Sequence, residues 1–246
     1  MVIDGASVPA GLGTGCIHGT AWFTRRLGTQ LLVLLTTKAD RSPADSLAQA
    51  ITAVAAFHAD TCDLSHPGSP SATVAILREQ TRAIDCLVLG DTTILLEQPS
   101  GIRVLTDDRL ENVAAVQHRA MHQHATGSAD HDHSFAALVT EQRRHRNHPD
   151  GFWVASTDPA AAQHALTDTI PRDGLHRAAV LSDGATRLVD RFGLLDWPSF
   201  LDILAKRGPE AIIQQVRAAE GSDPDGRRWP RGKRHDDASA AYCHLI

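Results

Sequence analysis

The sequence predicts an α+β fold in which strands and helices form separate groups. Strand patterns cluster between residues 71 and 105 and return near 151–155, 176–181 and 238–245. Pairs of helical patterns separate these groups, instead of single helices that alternate with single strands. Such segregation favours α+β layers over repeated βαβ units.

Length and composition limit the possible functions. The chain has 246 residues, 42% of them hydrophobic, and a net charge of −5. This length suits one large core, so we expect a single domain over residues 1–246. The chain has no excess of basic residues that would indicate nucleic-acid binding. Its longest apolar run, Leu31–Leu35, is too short to span a bilayer. The N-terminus lacks a signal-peptide pattern, which favours a cytoplasmic protein.

The cysteines are dispersed and form no C-x-x-C pair. They are Cys16, Cys62, Cys86 and Cys243. This dispersal favours a reducing compartment over a disulfide framework or a zinc site.

The first hundred residues predict a strand, two helices and then several strands. Val2–Ile3 is a short strand, and apolar residues at helical spacing predict a helix over 18–37. A second helix begins after Ser42, a good N-cap ahead of Pro43. The strands that follow cover 71–77, 84–89, 92–96 and 101–105. Gly90-Asp91 joins the second to the third, a link typical of a tight hairpin.

The later half alternates between helical and strand patterns. Asp108-x-x-Glu111 predicts a capping box that opens a helix. Five histidines within 118–133 suggest either a transition-metal site or a solvated loop, and the polar surroundings favour the loop. The remaining predictions are helices at 135–146, 159–166, 196–206 and 209–219 and strands at 151–155, 176–181 and 238–245.

Carboxylates at the ends of strands are the most informative chemical feature. The apolar strand that begins at Ala178 ends in Ser182-Asp183-Gly184, Val2-Ile3 runs into Asp4-Gly5, and Asp236-Asp237 precedes the last strand. One Asp-Gly pair is more often a turn than a ligand. Carboxylates on several rigid strand ends, however, can bind two Mn²⁺ or Mg²⁺ ions roughly 3.5–4 Å apart.

Four acidic elements resemble, in order, those of the metal-dependent protein phosphatases of type 2C, the PPM family. The first is VIDG, and CLVLGDTTILL is similar to the family's NVGDSRAYL element. AAVLSDGATRLVD is similar to L-x-SDG-x-x-x-x-V, and HDDASAAY to DN-x-T-x-x-V. GFWVAS and FGLLDW look like segments of bacterial, actinobacterial members. The resemblance covers nearly the whole chain.

The resemblance implies a four-layer α-β-β-α sandwich, with two antiparallel sheets flanked by helices. It also implies two Mn²⁺ or Mg²⁺ ions, with room for a third. Asp4 would bridge the two ions, with the Gly5 carbonyl as a further ligand. Asp183 and Asp236 would each bind one ion, and Asp91 would lie near the third position. Asp4, Asp183 and Asp236 are thus the expected catalytic residues.

The activity implied is hydrolysis of phosphoserine or phosphothreonine in a protein substrate by metal-activated water, without a phosphoenzyme. Family members carry a strand with a further acidic residue before the first element, and Met1 leaves no room for it. A misassigned start, a truncated chain or a degenerate member would each explain this. The alternative function is therefore a pseudophosphatase that binds a phosphoprotein or a regulatory partner.

Other candidate residues have simpler explanations. Five basic residues precede Asp236: Arg227, Arg228, Arg231, Lys233 and Arg234. They could attract a phosphorylated partner, although a solvated loop is the simpler interpretation. His18 could lie near the metal ions, and a helix cap or a buried histidine is the simpler role.

Overall fold

Two four-stranded antiparallel sheets form the centre of the computed structural model, which describes residues 1–38 and 40–245. The strands are β1 (Val2–Gly5), β2 (Ala72–Glu79), β3 (Ala83–Leu89), β4 (Thr93–Gln98), β5 (Gly101–Thr106), β6 (Leu166–Pro171), β7 (Arg177–Leu181) and β8 (Ala240–His244). The first sheet has the order β1-β2-β3-β6 and the second has the order β5-β4-β7-β8.

Helices cover both outer faces of this sandwich. Helices α1 (Gly19–Thr37) and α2 (Pro43–Ala56) lie on the first sheet, and α3 (Ala115–Met121) and α4 (Ala129–His145) pack against each other. Helices α5 (Asp183–Asp190), α6 (Trp197–Arg207) and α7 (Pro209–Ser222) lie on the second sheet. As predicted, the Ser42 side chain caps α2 by accepting from the Asp45 backbone N–H. No helix in the described parts of the chain is long and apolar enough to cross a bilayer.

Three hydrophobic clusters define the four layers. Helices α1 and α2 pack on the first sheet, where Phe23 and Leu47 meet Leu87. Helices α5, α6 and α7 pack on the second sheet around Phe200. Between the sheets, residues such as Val88 fill the third cluster. The predicted four-layer α-β-β-α sandwich is therefore confirmed.

The predicted hairpin at Gly90-Asp91 is wrong. Strand β3 pairs with β2 and β6, whereas β4 pairs with β5 and β7, so these two residues carry the chain from one sheet to the other. Strand β3 is buried on both faces, since Val88 points between the sheets and Leu87 points towards the helices. A strand that is apolar on both faces does not reveal its pairing partner in its pattern.

Three other local predictions need correction. The segment 151–155 is not a strand, because it makes only isolated bridges, such as that between Ala155 and Ala72. Strand β6 was not predicted, since it is a mostly exposed edge strand without an apolar pattern. The capping box at Asp108 is not formed: a 3₁₀ turn covers Arg109–Asn112, and Arg109 pairs with Asp107 instead.

The histidine-rich segment is a loop only between residues 122 and 128, and helices lie on both sides of it. Helix α3 contains His118, and helix α4 begins at Ala129, capped by Ser128. His131 is 2% exposed and its Nε2 donates to the Arg231 carbonyl at 3.0 Å. This contact ties α4 to the loop that leads to β8.

Candidate functional site

Asp4 and Asp91 are brought together by the close approach of two backbones. Asp4 lies in β1 opposite Thr73 of β2. Gly90 has a φ of +81° and lies against the same threonine. A side chain at this position would place its Cβ only 2.5 Å from the Thr73 methyl group. The crossover between the sheets therefore places Asp91 beside the end of β1.

Asp183 and Asp236 are joined by a second close contact. Asp183 is the first residue of α5, directly after β7. A Cβ on Gly184 would lie 2.2 Å from the Asp237 carbonyl oxygen, so only glycine allows this approach. The Ser182 backbone N–H donates to the Ser239 carbonyl at 2.9 Å, and the Ser239 N–H donates back to the Ser182 hydroxyl. These contacts fix the strand end against the segment before β8.

The four aspartates line one cavity of about 230 Å³ at the end of the sandwich. Gly5, the other predicted ligand, also lines it. A second cavity, of about 310 Å³, shares Asp91, Asp183 and Asp236 with the first and extends towards His118 and His122. The structure thus brings together every residue predicted for the metal site, and the predicted histidine pair lies beside it.

Crowded carboxylates change each other's ionisation. Burial, followed by repulsion from Asp183, raises the pKa of Asp4 to about 8. The same two causes raise the pKa of Asp91 to about 7. Burial and the negative charge of Asp236 also raise the pKa of Asp183. Such shifts are typical of carboxylates that share a site without enough positive charge between them.

Two basic side chains contact Asp236. Arg187 donates to its Oδ2 at 2.5 Å and also donates to the fully buried Glu220 at 2.8 Å. Lys233 contacts Oδ1 of Asp236 and donates to the Ser7 hydroxyl at 2.6 Å. Lys233 therefore crosses the edge of the cavity between the loop after β1 and the segment before β8.

This donor set fits divalent ions with oxygen ligands. It offers four carboxylates and no thiol or imidazole, the chemistry that Mg²⁺ and Mn²⁺ accept. The raised pKa values of Asp4 and Asp91 indicate that a bound cation would relieve their repulsion. The residues could therefore hold the ions that the resemblance implies.

Solved structures with the same architecture include phosphatases from distant organisms. The serine-threonine phosphatase 2C of Toxoplasma gondii is 13% identical over 99% of this chain and 83% of its own, with a TM-score of 0.54. Stp1 of Staphylococcus aureus, a serine/threonine phosphatase, is 13% identical over 99% and 82% of the two chains, with a TM-score of 0.52. This chain has the type 2C phosphatase fold.

A third solved structure with a similar fold is that of the serine/threonine phosphatase PstP/Ppp of Mycobacterium tuberculosis. It is 14% identical over 99% of this chain and 86% of its own, with a TM-score of 0.51. Comparison with family models and with curated proteins gave no match to the sequence. At these identities the likeness extends to the fold, and the roles of individual residues rest on the geometry of the site.

Several residues around the carboxylate cavity were not foreseen from the sequence. Arg187 lies one helical turn after Asp183, and this four-residue spacing could have indicated that both belong to the site. Arg143 and Arg146 of the α4 region line the first cavity. Arg146 donates to the Ser71 hydroxyl at 2.8 Å and also bonds the Pro67 carbonyl. No sequence pattern linked these arginines to the carboxylates.

The sequence favours a solvated loop before Asp236, and the structure shows that only part of this basic loop is exposed. Arg231 is 1% exposed and donates to Asp223 at 3.0 Å. Lys233 lines both cavities. Arg228 lies over the Trp229 ring. The loop is thus held by a buried ion pair and presents one lysine to the carboxylates.

Proposed function

We propose that the chain is a metal-dependent serine/threonine protein phosphatase of type 2C. The observation that carries this proposal is the convergence of Asp4, Asp91, Asp183 and Asp236 on one cavity. The type 2C fold is consistent with this activity.

Each carboxylate has a proposed role in holding the ions. Asp4, Asp183 and Asp236 would hold two ions together with the Gly5 carbonyl, and Asp91 would help to hold a third. When bound, Mn²⁺ or Mg²⁺ lowers the pKa of a water and neutralises charge on a phosphoryl group. Arg187 holds the Asp236 carboxylate in place through their 2.5 Å hydrogen bond.

The substrate phosphate has two basic partners in this proposal. Arg143 and Arg146 line the same cavity as the carboxylates. A guanidinium matches the geometry of phosphate with two parallel hydrogen bonds. Arg143 already donates to the Gly13 carbonyl at 3.0 Å, which limits its motion. A phosphorylated serine or threonine in a protein is the proposed substrate class.

Hydrolysis of para-nitrophenyl phosphate tests the activity. We expect turnover that depends on added Mn²⁺ and that falls by at least about 100-fold in Asp183→Ala, because the variant loses one of the four carboxylates proposed to hold the ions. Asp202→Ala, a change at an exposed surface aspartate, is the matched control and retains activity. Absence of Mn²⁺-dependent turnover in the wild-type chain would contradict the proposal. Mn²⁺ binding without turnover would instead support the phosphoprotein-binding alternative.

A further inference from the structure

Two cysteines and two histidines meet on the far side of the loop that follows β1. They are Cys16, His18, His58 and Cys62, and one potential ligand atom from each lies within 4.8 Å of all the others. The first pair, spaced C-x-H, directly precedes α1. The second pair, spaced H-x₃-C, lies in the turn after α2, where the Cys62 N–H donates to the His58 carbonyl at 3.0 Å.

The distances between ligand atoms match those around a small tetrahedral ion. Nδ1 of His18 lies 3.7 Å from Sγ of Cys16 and 3.4 Å from Sγ of Cys62. Nδ1 of His58 lies 3.6 Å from Sγ of Cys16. Sulfur and nitrogen ligands of one tetrahedral zinc ion, at about 2.3 and 2.0 Å from the metal, are separated by roughly 3.5 Å. A small adjustment of side chains would complete the tetrahedron.

We propose that Cys16, His18, His58 and Cys62 form a structural Zn²⁺ site. Two thiolates and two imidazoles are a ligand set that selects zinc over the hard ions suited to the carboxylate cavity. All four ligands come from the protein, so the site is closed, as structural zinc sites are. This proposal does not depend on the proposed phosphatase activity.

The surroundings of the sulfur atoms favour metal-bound thiolates. The His18 backbone N–H donates to Sγ of Cys16 at 3.4 Å. The Thr61 hydroxyl lies 3.7 Å from Sγ of Cys62. Donors aimed at sulfur are the outer contacts that hold ligands in a metal site.

Hydrogen bonds alone do not explain the burial of His58. The side chain is 2% exposed, and its Nε2 has no hydrogen-bond partner among the residues that the structure describes. Its Nδ1 makes a weak contact with a thiol, 3.6 Å from Sγ of Cys16. A metal bond at Nδ1 would replace this weak contact with a strong one, while the proton on Nε2 would still lack an acceptor among the described residues.

A disulfide is the competing explanation for the two sulfur atoms. The Sγ atoms of Cys16 and Cys62 are 3.2 Å apart, compared with about 2.05 Å in a disulfide. A disulfide would also leave the two imidazoles beside the sulfur atoms without a role. Zinc uses all four side chains.

A zinc ion here would hold together two loops that reach the carboxylate cavity. The loop before Cys16 includes Ser7, which lines the cavity, and the loop after Cys62 includes Ser69, which also lines it. The two loops already meet where the Asp63 N–H donates to the Gly15 carbonyl at 2.8 Å. The zinc ion would thus hold one wall of the carboxylate cavity in place without taking part in a reaction.

Metal analysis of the full chain tests the proposal without any variant. We expect about one tightly bound zinc per chain after dialysis, since structural zinc sites bind far below micromolar concentrations. Replacement with Co²⁺ should give the visible bands and sulfur-to-metal charge-transfer absorption of a tetrahedral cobalt thiolate site. Co²⁺ should also quench the fluorescence of Trp22, whose ring stacks on that of His18 with the ring centroids 4.3 Å apart. Absence of bound zinc and of this cobalt spectrum would overturn the proposal.

Variants assign the metal to these four residues. Cys62→Ser should lose the zinc and the cobalt spectrum, whereas Cys243→Ser, a change at a cysteine outside the cluster, should retain both. Asp183→Ala should retain zinc, which separates this site from the carboxylate cavity. Retention of zinc by Cys62→Ser, or a Cys16–Cys62 disulfide in the metal-free native chain, would also overturn the proposal.

Discussion

Arg187 joins Asp236 to Glu220 through one buried guanidinium. It donates to Asp236 at 2.5 Å and to Glu220 at 2.8 Å, while its own side chain is only 7% exposed. Glu220 is fully buried. The arginine therefore supports a carboxylate at the cavity and balances a charge in the core of the second sheet.

Arg187→Met should destabilise the fold, because it leaves Glu220 and Asp236 without their shared cation. Breaking a buried ion pair from one side costs about 3–5 kcal/mol when the remaining charge has no other partner. We expect a smaller loss here, because Arg217 still donates to Glu220 and Lys233 still contacts Asp236. Urea denaturation measures the change in the free energy of unfolding. Arg144→Met, a change at an exposed arginine that pairs with Glu141 of the same helix, is the matched control and should cost less than about 1 kcal/mol. Equal effects of the two changes would contradict this role of Arg187.

Lys233→Met should strengthen Mn²⁺ binding, because the ammonium group now contacts a carboxylate that the ion would use. We expect an increase of about 10-fold, equivalent to about 1.4 kcal/mol. Calorimetric titration of the metal-free protein measures it. Lys206→Met, a change in an exposed pair with Asp202, should leave the affinity unchanged. An unchanged affinity in Lys233→Met would show that the lysine does not compete with the ion.

The pH dependence of stability should reveal the crowded carboxylates. The pKa of Asp4 is raised from 3.8 to about 8, and that of Asp91 to about 7. Between about pH 4 and 8 the metal-free folded protein therefore holds protons that the unfolded chain has released, so its stability falls as pH rises. Below pH 4 both states are protonated and this contribution no longer changes.

Thermal melts of protein freed of metal by a chelator, recorded between pH 5 and 8, measure this effect. We expect the Tm to fall with pH, by roughly 2–4 °C for each kcal/mol lost. Asp4→Asn should reduce the fall, because it removes one of the carboxyl groups whose pKa is raised. Mn²⁺ should oppose the fall, since metal and protons compete for the same oxygens. A wild-type slope identical to that of Asp4→Asn would contradict the raised pKa of Asp4.

Gly184→Ala should disturb the site without changing its chemistry. The added methyl group would lie 2.2 Å from the Asp237 carbonyl oxygen and would push the Asp236 segment away from Asp183. We expect a loss of about 1–3 kcal/mol in stability and weaker Mn²⁺ binding, measured by denaturation and calorimetry. Gly221→Ala in α7 meets open space and should be neutral or stabilising, because alanine favours a helix. Unchanged Mn²⁺ affinity in Gly184→Ala would contradict this close approach.

Arg146→Lys should weaken recognition of the phosphate more than catalysis. Lysine keeps the charge but loses the planar pair of donors that matches phosphate. We expect the KM for para-nitrophenyl phosphate to rise several-fold with a smaller change in kcat. Arg144→Lys is the matched control, because this neighbour is exposed and pairs with Glu141. A rise in KM of the same size in both variants would exclude a specific role for Arg146.

The sequence predicted the layered fold and the carboxylate cavity because both depend on local patterns in a fixed order. Asp4, Asp183 and Asp236 each lie where a strand meets a turn, and such positions are readable from neighbouring residues. The strand pairing at Gly90-Asp91 was not readable, because β3 and β4 are apolar on both faces. The exposed edge strand β6 lacked any apolar pattern.

The thiol–imidazole cluster shows the other limit of local patterns. The dispersal of the cysteines along the sequence argued against a zinc site, yet packing of α1 against α2 brings Cys16 and Cys62 together across 46 positions. The short pairs Cys16-x-His18 and His58-x₃-Cys62 were the available signal. Neither pair alone indicates a metal site, because two residues at such a spacing often occur by chance and the other two ligands lie on a different element.

The crossover at Asp91 has a consequence for the order of folding. The carboxylates lie at positions 4, 91, 183 and 236, and they meet only when β1 has joined β2 and β8 has joined β7. These pairings close long loops, which form slowly. We therefore expect Mn²⁺ to slow unfolding without speeding refolding in stopped-flow experiments, because the ion can bind only after the rate-limiting step. Acceleration of refolding by Mn²⁺ would place assembly of the carboxylates before that step.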